Sequence, residues 1–316
     1  MAQQKWWGWG DGSVAFSHAD KPDLGPFLER HLGIDVEHVA AHPPRFEDLD
    51  IPEPQLQPEL RAALEEAVGA AHVATDALER LTRARGKSLR DLVRARGGDI
   101  GRLPDVVVSP AAEAELEAIM AAALDADAVL IPFGGGTNIS GSLEAAADEA
   151  RTVVSVDMTR MGRVLEIDET SQLARVQAGA FGPDLEAQLN ARGWTVGHFP
   201  DSFTHSTLGG WIATRSSGMQ SDKYGDVADL TRAVRVVTPA GVLVTRPVPH
   251  ASTGPSVREM VLGSEGRLGI ISEATVQVHR VPAERRILGY LLPDWPRALA
   301  AMREIAGLDA RPSVTR

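Results

Sequence analysis

Ile131-Pro132-Phe133-Gly134-Gly135-Gly136-Thr137-Asn138-Ile139-Ser140-Gly141 is the stretch on which the reading of this chain turns. An apolar run over 128–133 predicts a strand, so three consecutive glycines fall at a strand's carboxyl end. Glycine has no Cβ to block a ligand, and successive N–H groups in such a turn converge on an anion; a pyrophosphate is the natural guest. A plain glycine-rich turn between strands fits the same residues. The Rossmann fingerprint does not, because a Gly-x-Gly-x-x-Gly opening a helix and an acidic residue about 20 positions on are both missing. Gly86-Lys87-Ser88 is no P-loop either: Leu81 stands where its first glycine belongs, and the preceding segment reads as a helix. That triplet marks a helix boundary.

Outward from the loop, strand and helix alternate. Residues 106–109, 111–124 and 128–133 predict a βαβ unit. Short strands are expected at 152–158, 163–168 and 173–178, a helix over 183–192, then strands at 233–239, 242–246 and 274–281. Sheets with helices make an α+β domain over 103–282, with Pro282 at its edge. Residues 1–102 read as a partly helical extension. Trp6, Trp7 and Trp9 stand near its start, and a proline-rich stretch spans 42–58. Leu60, Leu64 and Val68, then Leu78 and Leu81, recur at helical spacing; Ser88 caps a further helix carrying Leu89, Leu92 and Val93, which Gly97 and Gly98 end. Residues 283–316 predict a strand at 287–292, a helix over 295–306 and the first residues of another strand at 312–316. A strand with no partner is an unfinished sheet edge, so this segment is expected to begin an incomplete domain of a longer protein.

Composition narrows the function. Hydrophobic residues at 43% and charged ones at 24% fit a globular protein of 316 residues with a sizeable core. A net charge of −11 repels phosphate backbones, so no nucleic-acid partner is expected. The absence of cysteine excludes disulfides, thiol nucleophiles, iron–sulfur clusters and thiolate zinc sites. No run approaches the roughly 20 apolar residues of a membrane span, and residues 1–20 lack the order of a signal peptide, so a cytoplasmic location is expected. His38 and His42 have i, i+4 spacing, but Pro43 and Pro44 follow and no third ligand is near; no metal site is expected. No Gly-x-Ser-x-Gly elbow supports a serine hydrolase.

Three further segments carry polar or glycine-rich chemistry. In Asp201-Ser202-Phe203-Thr204-His205-Ser206-Thr207, followed by Leu208-Gly209-Gly210-Trp211, a helix beginning near Thr207 would direct unpaired N–H groups outward. A capped helix start is the plain alternative. Thr214-Arg215-Ser216-Ser217-Gly218 comes one or two turns later, facing the same cleft or solvent. Glu265-Gly266-Arg267-Leu268-Gly269-Ile270-Ile271 suits backbone approach to a flat ring system, or simply a tight helix-to-strand turn. His198 and His205 bracket the polar loop as catalytic or structural histidines.

In their order and spacing these segments resemble FAD-binding proteins of the vanillyl-alcohol oxidase (PCMH) type, whose Pro-x-Gly-Gly-Gly-Thr loop wraps the pyrophosphate. Residues 132–138 match that loop, and the three later segments are similar to the family's flavin-contacting stretches. The resemblance covers about 103–282 and implies a PCMH-type domain of two α+β subdomains, followed by a cap domain that begins at 283. It implies FAD held by Pro132, Phe133, Gly134, Gly135, Gly136, Thr137 and Asn138, by Asp201, Ser202, Ser206 and Thr207, by Thr214, Arg215, Ser216 and Ser217, and by Glu265, Gly266, Leu268, Gly269, Ile270 and Ile271. Asn138 stands where serine is commoner. No histidine or cysteine lies in 134–142, so non-covalent FAD is expected.

Within that family the chain resembles the alkyldihydroxyacetonephosphate synthase branch. Lys5-Trp6-Trp7-Gly8-Trp9-Gly10, Leu32-Gly33-Ile34-Asp35-Val36-Glu37-His38, Asp201-Ser202 with Gly209-Gly210-Trp211, and Ser217-Gly218-Met219 carry the likeness. A hydrophobic patch holding the extension on the core explains the tryptophans equally. The branch implies exchange of the acyl group of acyl-dihydroxyacetone phosphate for a fatty alcohol, with flavin N5 as the nucleophile and no net oxidation. It implies a lipid-phosphate or other small-molecule substrate, and leaves room for peripheral membrane contact and a homodimer. Arg316 falls on the family's active-site arginine; the catalytic tyrosine, the phosphate-binding arginine and a histidine cluster belong to the carboxy-terminal part. A flavin-dependent 2-hydroxyacid dehydrogenase or oxidase, and a catalytically inert flavin-binding fragment, are the alternatives.

Overall fold

The computed structural model describes residues 4–13, 18–36, 43–248, 252–309 and 312–315. Valine-rich runs build the first sheet from β1 (Val73–Ala74), β2 (Val106–Val108), β3 (Val129–Phe133) and β4 (Val153–Asp157), in the order β1-β2-β4-β3. β2 and β3 run parallel to β4, whereas β1 is antiparallel to β2. Every residue of β2 and β4 is buried, so neither sequence alternates: β2 is three valines, and β4 is valine at three of its five positions with Ser155 and Asp157 buried beside them. The helix Glu113–Asp125 makes the crossover to β3 and buries Leu116, Ile119, Met120 and Ala123. Against it lies the helix Pro58–Val68, whose Leu60, Leu64 and Val68 join the same core. Residues 58–74 are therefore part of this layer.

The second sheet uses β5 (Val164–Asp168), β6 (Leu173–Gln177), β8 (Thr231–Thr238), β9 (Gly241–Val244) and β10 (Ile270–Gln277), all antiparallel, in the order β5-β6-β10-β8-β9. A small ribbon pairs β7 (Trp194–Thr195) with β11 (His279–Arg280). Its core gathers Val234, Val236, Ala274 and Val276 with Leu185 and Leu189 of the helix Gly182–Asn190 and Trp211 and Ile212 of the helix Leu208–Thr214. Val237 and Ile270 cross over and pack in the first sheet's core. A polar clamp closes the same seam: Glu113 accepts from Arg235 Nε (2.9 Å) and Ser272 Oγ (2.6 Å). The Arg235 guanidinium holds the Glu113 carboxyl below the usual carboxylate range.

Most elements form within a residue or two of their expected bounds. β10 begins at Ile270, four residues ahead of the expected 274, because Ile270 and Ile271 pair with Val237 and Val236. Ser88 caps the helix Leu89–Arg96 through a capping box with Asp91, as its sequence implied, yet Leu89 and Val93 face solvent. The strand expected at 287–292 is absent: Ile287, Tyr290 and Leu291 are exposed. The helix Trp295–Gly307 does form, N-capped by Asp294, which accepts from Arg297 N at 2.9 Å. Residues 312–315 carry no strand. A helix satisfies its own backbone, whereas a strand needs a neighbour. Among the described residues no helix is long and apolar enough to cross a membrane, and no group of three His, Asp or Glu is placed to hold a metal.

Candidate functional site

A cleft of about 650 Å³ opens along the seam between the two sheets. The loop after β3 forms its floor. Gly136 takes φ +68°, and the backbone N–H groups of Gly135, Gly136 and Thr137 donate no hydrogen bond among the described residues. Free N–H groups in such a turn form an anion-binding concavity.

The glycines have a second reason to be glycine. A Cβ on Gly134 would lie 2.3 Å from Thr207 Oγ1, one on Gly135 1.6 Å from the His205 carbonyl oxygen, and one on Gly136 2.5 Å from Phe133 Cζ. The sequence reading reserved this space for a ligand; the protein's own chain occupies part of it. That contact lays the 201–207 segment across the loop. Thr207 then caps the helix Leu208–Thr214, its hydroxyl accepting from Gly210 N at 3.3 Å.

Asn138 shapes the loop's exit. Its Oδ1 accepts from the N–H groups of Ser140 (3.0 Å), Gly141 (3.0 Å) and Ser142 (3.2 Å). Its carbonyl accepts from Lys87 N at 2.8 Å, and Gly86 sits so close that a Cβ there would be 2.0 Å from the same oxygen. The amino-terminal part is thereby keyed to the loop. Ser140 Oγ donates to Glu265 at 2.9 Å, joining segments 125 residues apart. Glu265 holds a left-handed φ of +51°. On the far wall Trp211 Nε1 donates to Ser206 Oγ (2.7 Å), and Ser206 donates to the Ser202 carbonyl (2.9 Å).

His198 lies behind this wall, 1% exposed, with Nε2 2.8 Å from Ser216 Oγ and its ring edge-on to Trp211 at 5.0 Å. Burial pulls its pKa down to about 4, so the imidazole is neutral at neutral pH. Unfolding releases it to the ordinary 6.5, so the unfolded chain binds the extra proton between those values. Stability complete above pH 6.5 is expected to drain away as pH falls toward 4, by up to about 3 kcal/mol. Urea unfolding of the native chain and His198→Gln across that range checks it. Parallel pH profiles for the two would refute it.

All of Pro132, Phe133, Gly134, Gly135, Gly136, Thr137 and Asn138 line the cleft, together with Asp201, Ser202, Ser206, Thr207, Thr214, Ser216, Glu265, Gly266, Gly269, Ile270 and Ile271. Arg215, Ser217 and Leu268 do not. Arg215 ends the helix Leu208–Thr214 at φ +53° and turns its guanidinium outward to Glu259, 3.1 Å away. Ser217 and Leu268 are exposed. Arg316 lies outside the described residues, as do His38 and His42. The cleft also contains residues not assigned from sequence: Trp9, Ile139, Ser140, Ser142, Leu143, Met158, Ala178, Gly209, Gly210, Trp211 and Ala213. The Gly209-Gly210-Trp211 run was a usable signal for the last group. Met158 and Ala178 arrive only because strand ends meet at the seam.

Residues 104–246 match the family model described as an FAD binding domain. Over those residues the chain carries an FAD-binding domain. The matched residues include the loop after β3 and the 201–207 segment. Alkyldihydroxyacetonephosphate synthase of Dictyostelium discoideum is 39% identical over 99% of this chain and 55% of that protein. A solved structure of an alkyldihydroxyacetonephosphate synthase superposes with a TM-score of 0.87 at 37% identity, covering 99% of this chain and 61% of the other. The uncharacterized FAD-linked oxidoreductase YgcU of Escherichia coli is 32% identical over 59% of this chain and 38% of its own length. The chain thus spans about half the length of the curated synthases it matches.

Proposed function

We propose that this chain is the flavin-binding portion of an enzyme similar to alkyldihydroxyacetonephosphate synthase, with FAD seated non-covalently in the seam cleft. The observation that carries the reading is the convergence of four separate segments on one cleft, with free N–H groups at its floor. The residues suit FAD. The N–H groups of Gly135, Gly136 and Thr137 match a pyrophosphate. Gly266, Gly269, Ile270 and Ile271 give an apolar wall from which a flat ring can be approached closely. A volume of about 650 Å³ lies within the roughly 300–1,000 Å³ of cofactor and ligand pockets. With no cysteine in the chain and no histidine lining the cleft among the described residues, those residues offer no customary side chain for covalent attachment.

Bound there, FAD supplies either the nucleophile of an acyl-for-alkoxyl exchange or a hydride acceptor. This chain's part is to hold it: the loop neutralises phosphate charge, Thr207 fixes the wall above it, and the Ser140–Glu265 contact bridges the cleft. In this reading 103–282 is the FAD-binding domain, 1–102 supports it, and 283–316 begins a cap domain that completes the substrate site. Arg316 is then a residue of that cap, and acyl-dihydroxyacetone phosphate is the substrate class. The likeness to an FAD-linked oxidoreductase supports a flavin-dependent oxidation as the second reading, with a 2-hydroxyacid as the substrate to test.

The visible spectrum of the undenatured chain, followed by acid release, tests the cofactor. A flavin doublet with soluble FAD after acid is expected; a colourless chain that takes up no added FAD refutes the reading. Bleaching of bound flavin by D-lactate would favour the oxidation, whereas an exchange reaction leaves the flavin oxidised overall.

A further inference from the structure

Three indoles open this chain, and the structure uses them differently. Lys5 N donates to Gly10 O at 3.0 Å and Gln4 bridges Asp11, so residues 4–11 form a tight antiparallel turn. Trp6, 7% exposed, is buried with Leu81, Ala84, Ala95 and Leu103 and anchors that turn on the core. Trp7 lies beneath Lys5 Nζ at 5.2 Å and the Arg96 guanidinium at 6.0 Å. Trp9 remains 39% exposed and lines the cleft, its ring centroid 6.1 Å from that of His205.

Lys87 fixes where that indole sits. Its Nζ donates to the Lys5 carbonyl at 2.9 Å while its N–H donates to the Asn138 carbonyl at 2.8 Å. One buried residue therefore joins the turn that carries Trp9 to the end of the glycine loop. With Trp6 and Trp7 holding the turn, Trp9 is not needed as an anchor, and its face is left toward the cleft. A large apolar ring is left partly exposed there at the cost of contact with water, and heteroaromatic rings stack on such faces.

We propose that Trp9 is a stacking residue of the cofactor cleft, its indole lying against a planar ring of FAD. The extension before the FAD-binding domain is then a wall of the site and not only its support. The inference rests on the cofactor reading above and goes beyond it, since residue 9 lies outside the matched 104–246.

Equilibrium titration of the native chain, Trp9→Phe and Trp9→Ala with FAD, ADP and FMN tests it, with circular dichroism to establish that each variant is folded. Stacking of a base is worth enough that Trp9→Ala is expected to weaken FAD about ten-fold, while Trp9→Phe stays within about three-fold. The same loss with ADP assigns the adenine as the stacked ring, and with FMN the isoalloxazine; either supports the proposal. Folded Trp9→Ala binding FAD as tightly as the native chain overturns it, as does an equal loss in Trp9→Phe, which retains an aromatic face. A native chain that binds no FAD overturns the cofactor reading and this inference with it. Native-like binding by Trp9→Ala overturns this inference alone.

Discussion

Replacing Gly135 by alanine is expected to strip the chain of FAD, leaving purified protein with less than about a tenth of the native flavin absorbance. The new Cβ would stand 1.6 Å from the His205 carbonyl oxygen, 2.7 Å from its carbon and 3.0 Å from Ser206 Cα. These are backbone atoms, so no side-chain rotation relieves the collision. Either the loop or the 201–207 segment must move, and each is a wall of the cleft. Overpacking of this kind costs about 1–3 kcal/mol or more, and here the strain falls on the site itself. Gly135→Asp adds a negative charge where a pyrophosphate would lie and is expected to be worse. Gly289→Ala, with nothing within 4 Å of its Cβ, is the matched control. Flavin absorbance after desalting and the thermal midpoint are the measurements. Stoichiometric FAD in Gly135→Ala would contradict the close contact between loop and wall.

Asp105→Ala is the second large effect, and it acts on stability. Asp105 is 1% exposed and accepts from Gln55 N (2.9 Å), Val153 N (2.8 Å) and Arg102 Nη2 (2.6 Å). Its own N–H donates to the Val153 carbonyl at 2.7 Å, so it fixes the start of β4 beside β2. Alanine would leave two backbone N–H groups without their acceptor and a mostly buried guanidinium without its carboxylate, held only by the carbonyls of Leu103, Glu149 and Arg151. Losing one member of a buried pair costs about 3–5 kcal/mol. Urea unfolding measures it, and Asp105→Asn, which keeps an acceptor oxygen, is expected to lose less. A cost below about 1 kcal/mol for alanine would refute the role.

The value-rich particulars of the fold were legible where local pattern suffices. An unbroken valine run implies a strand buried on both faces, and β2 is such a strand; β4 is buried as fully, though Ser155 and Asp157 interrupt its valines. Leu60, Leu64 and Val68 imply one helical stripe, and all three are buried. Ser88 implies a cap and makes one. The 287–292 segment has the composition of a strand but no partner among the described residues, and pattern alone does not supply one. The site divides in the same way. Pro132 to Asn138 and most of 201–207 were readable, because turn chemistry and hydrogen-bonding side chains are local features. Arg215 was assigned with its neighbours, yet a left-handed φ at the helix end turns it to Glu259. Asp105 carried no motif at all, since its three donors come from residues 55, 102 and 153.

By itself, then, the sequence determined the α+β texture, the glycine loop at a strand end and the order of the four segments that meet at the cleft. Those properties rest on backbone geometry and short-range pattern. Tertiary structure alone decided why Gly135 admits no Cβ, that Trp9 reaches the cleft while Trp6 and Trp7 anchor its turn, and that Lys87 joins that turn to the loop. Each depends on atoms brought within a few ångströms from positions far apart in the chain, and close packing, not local propensity, selects them.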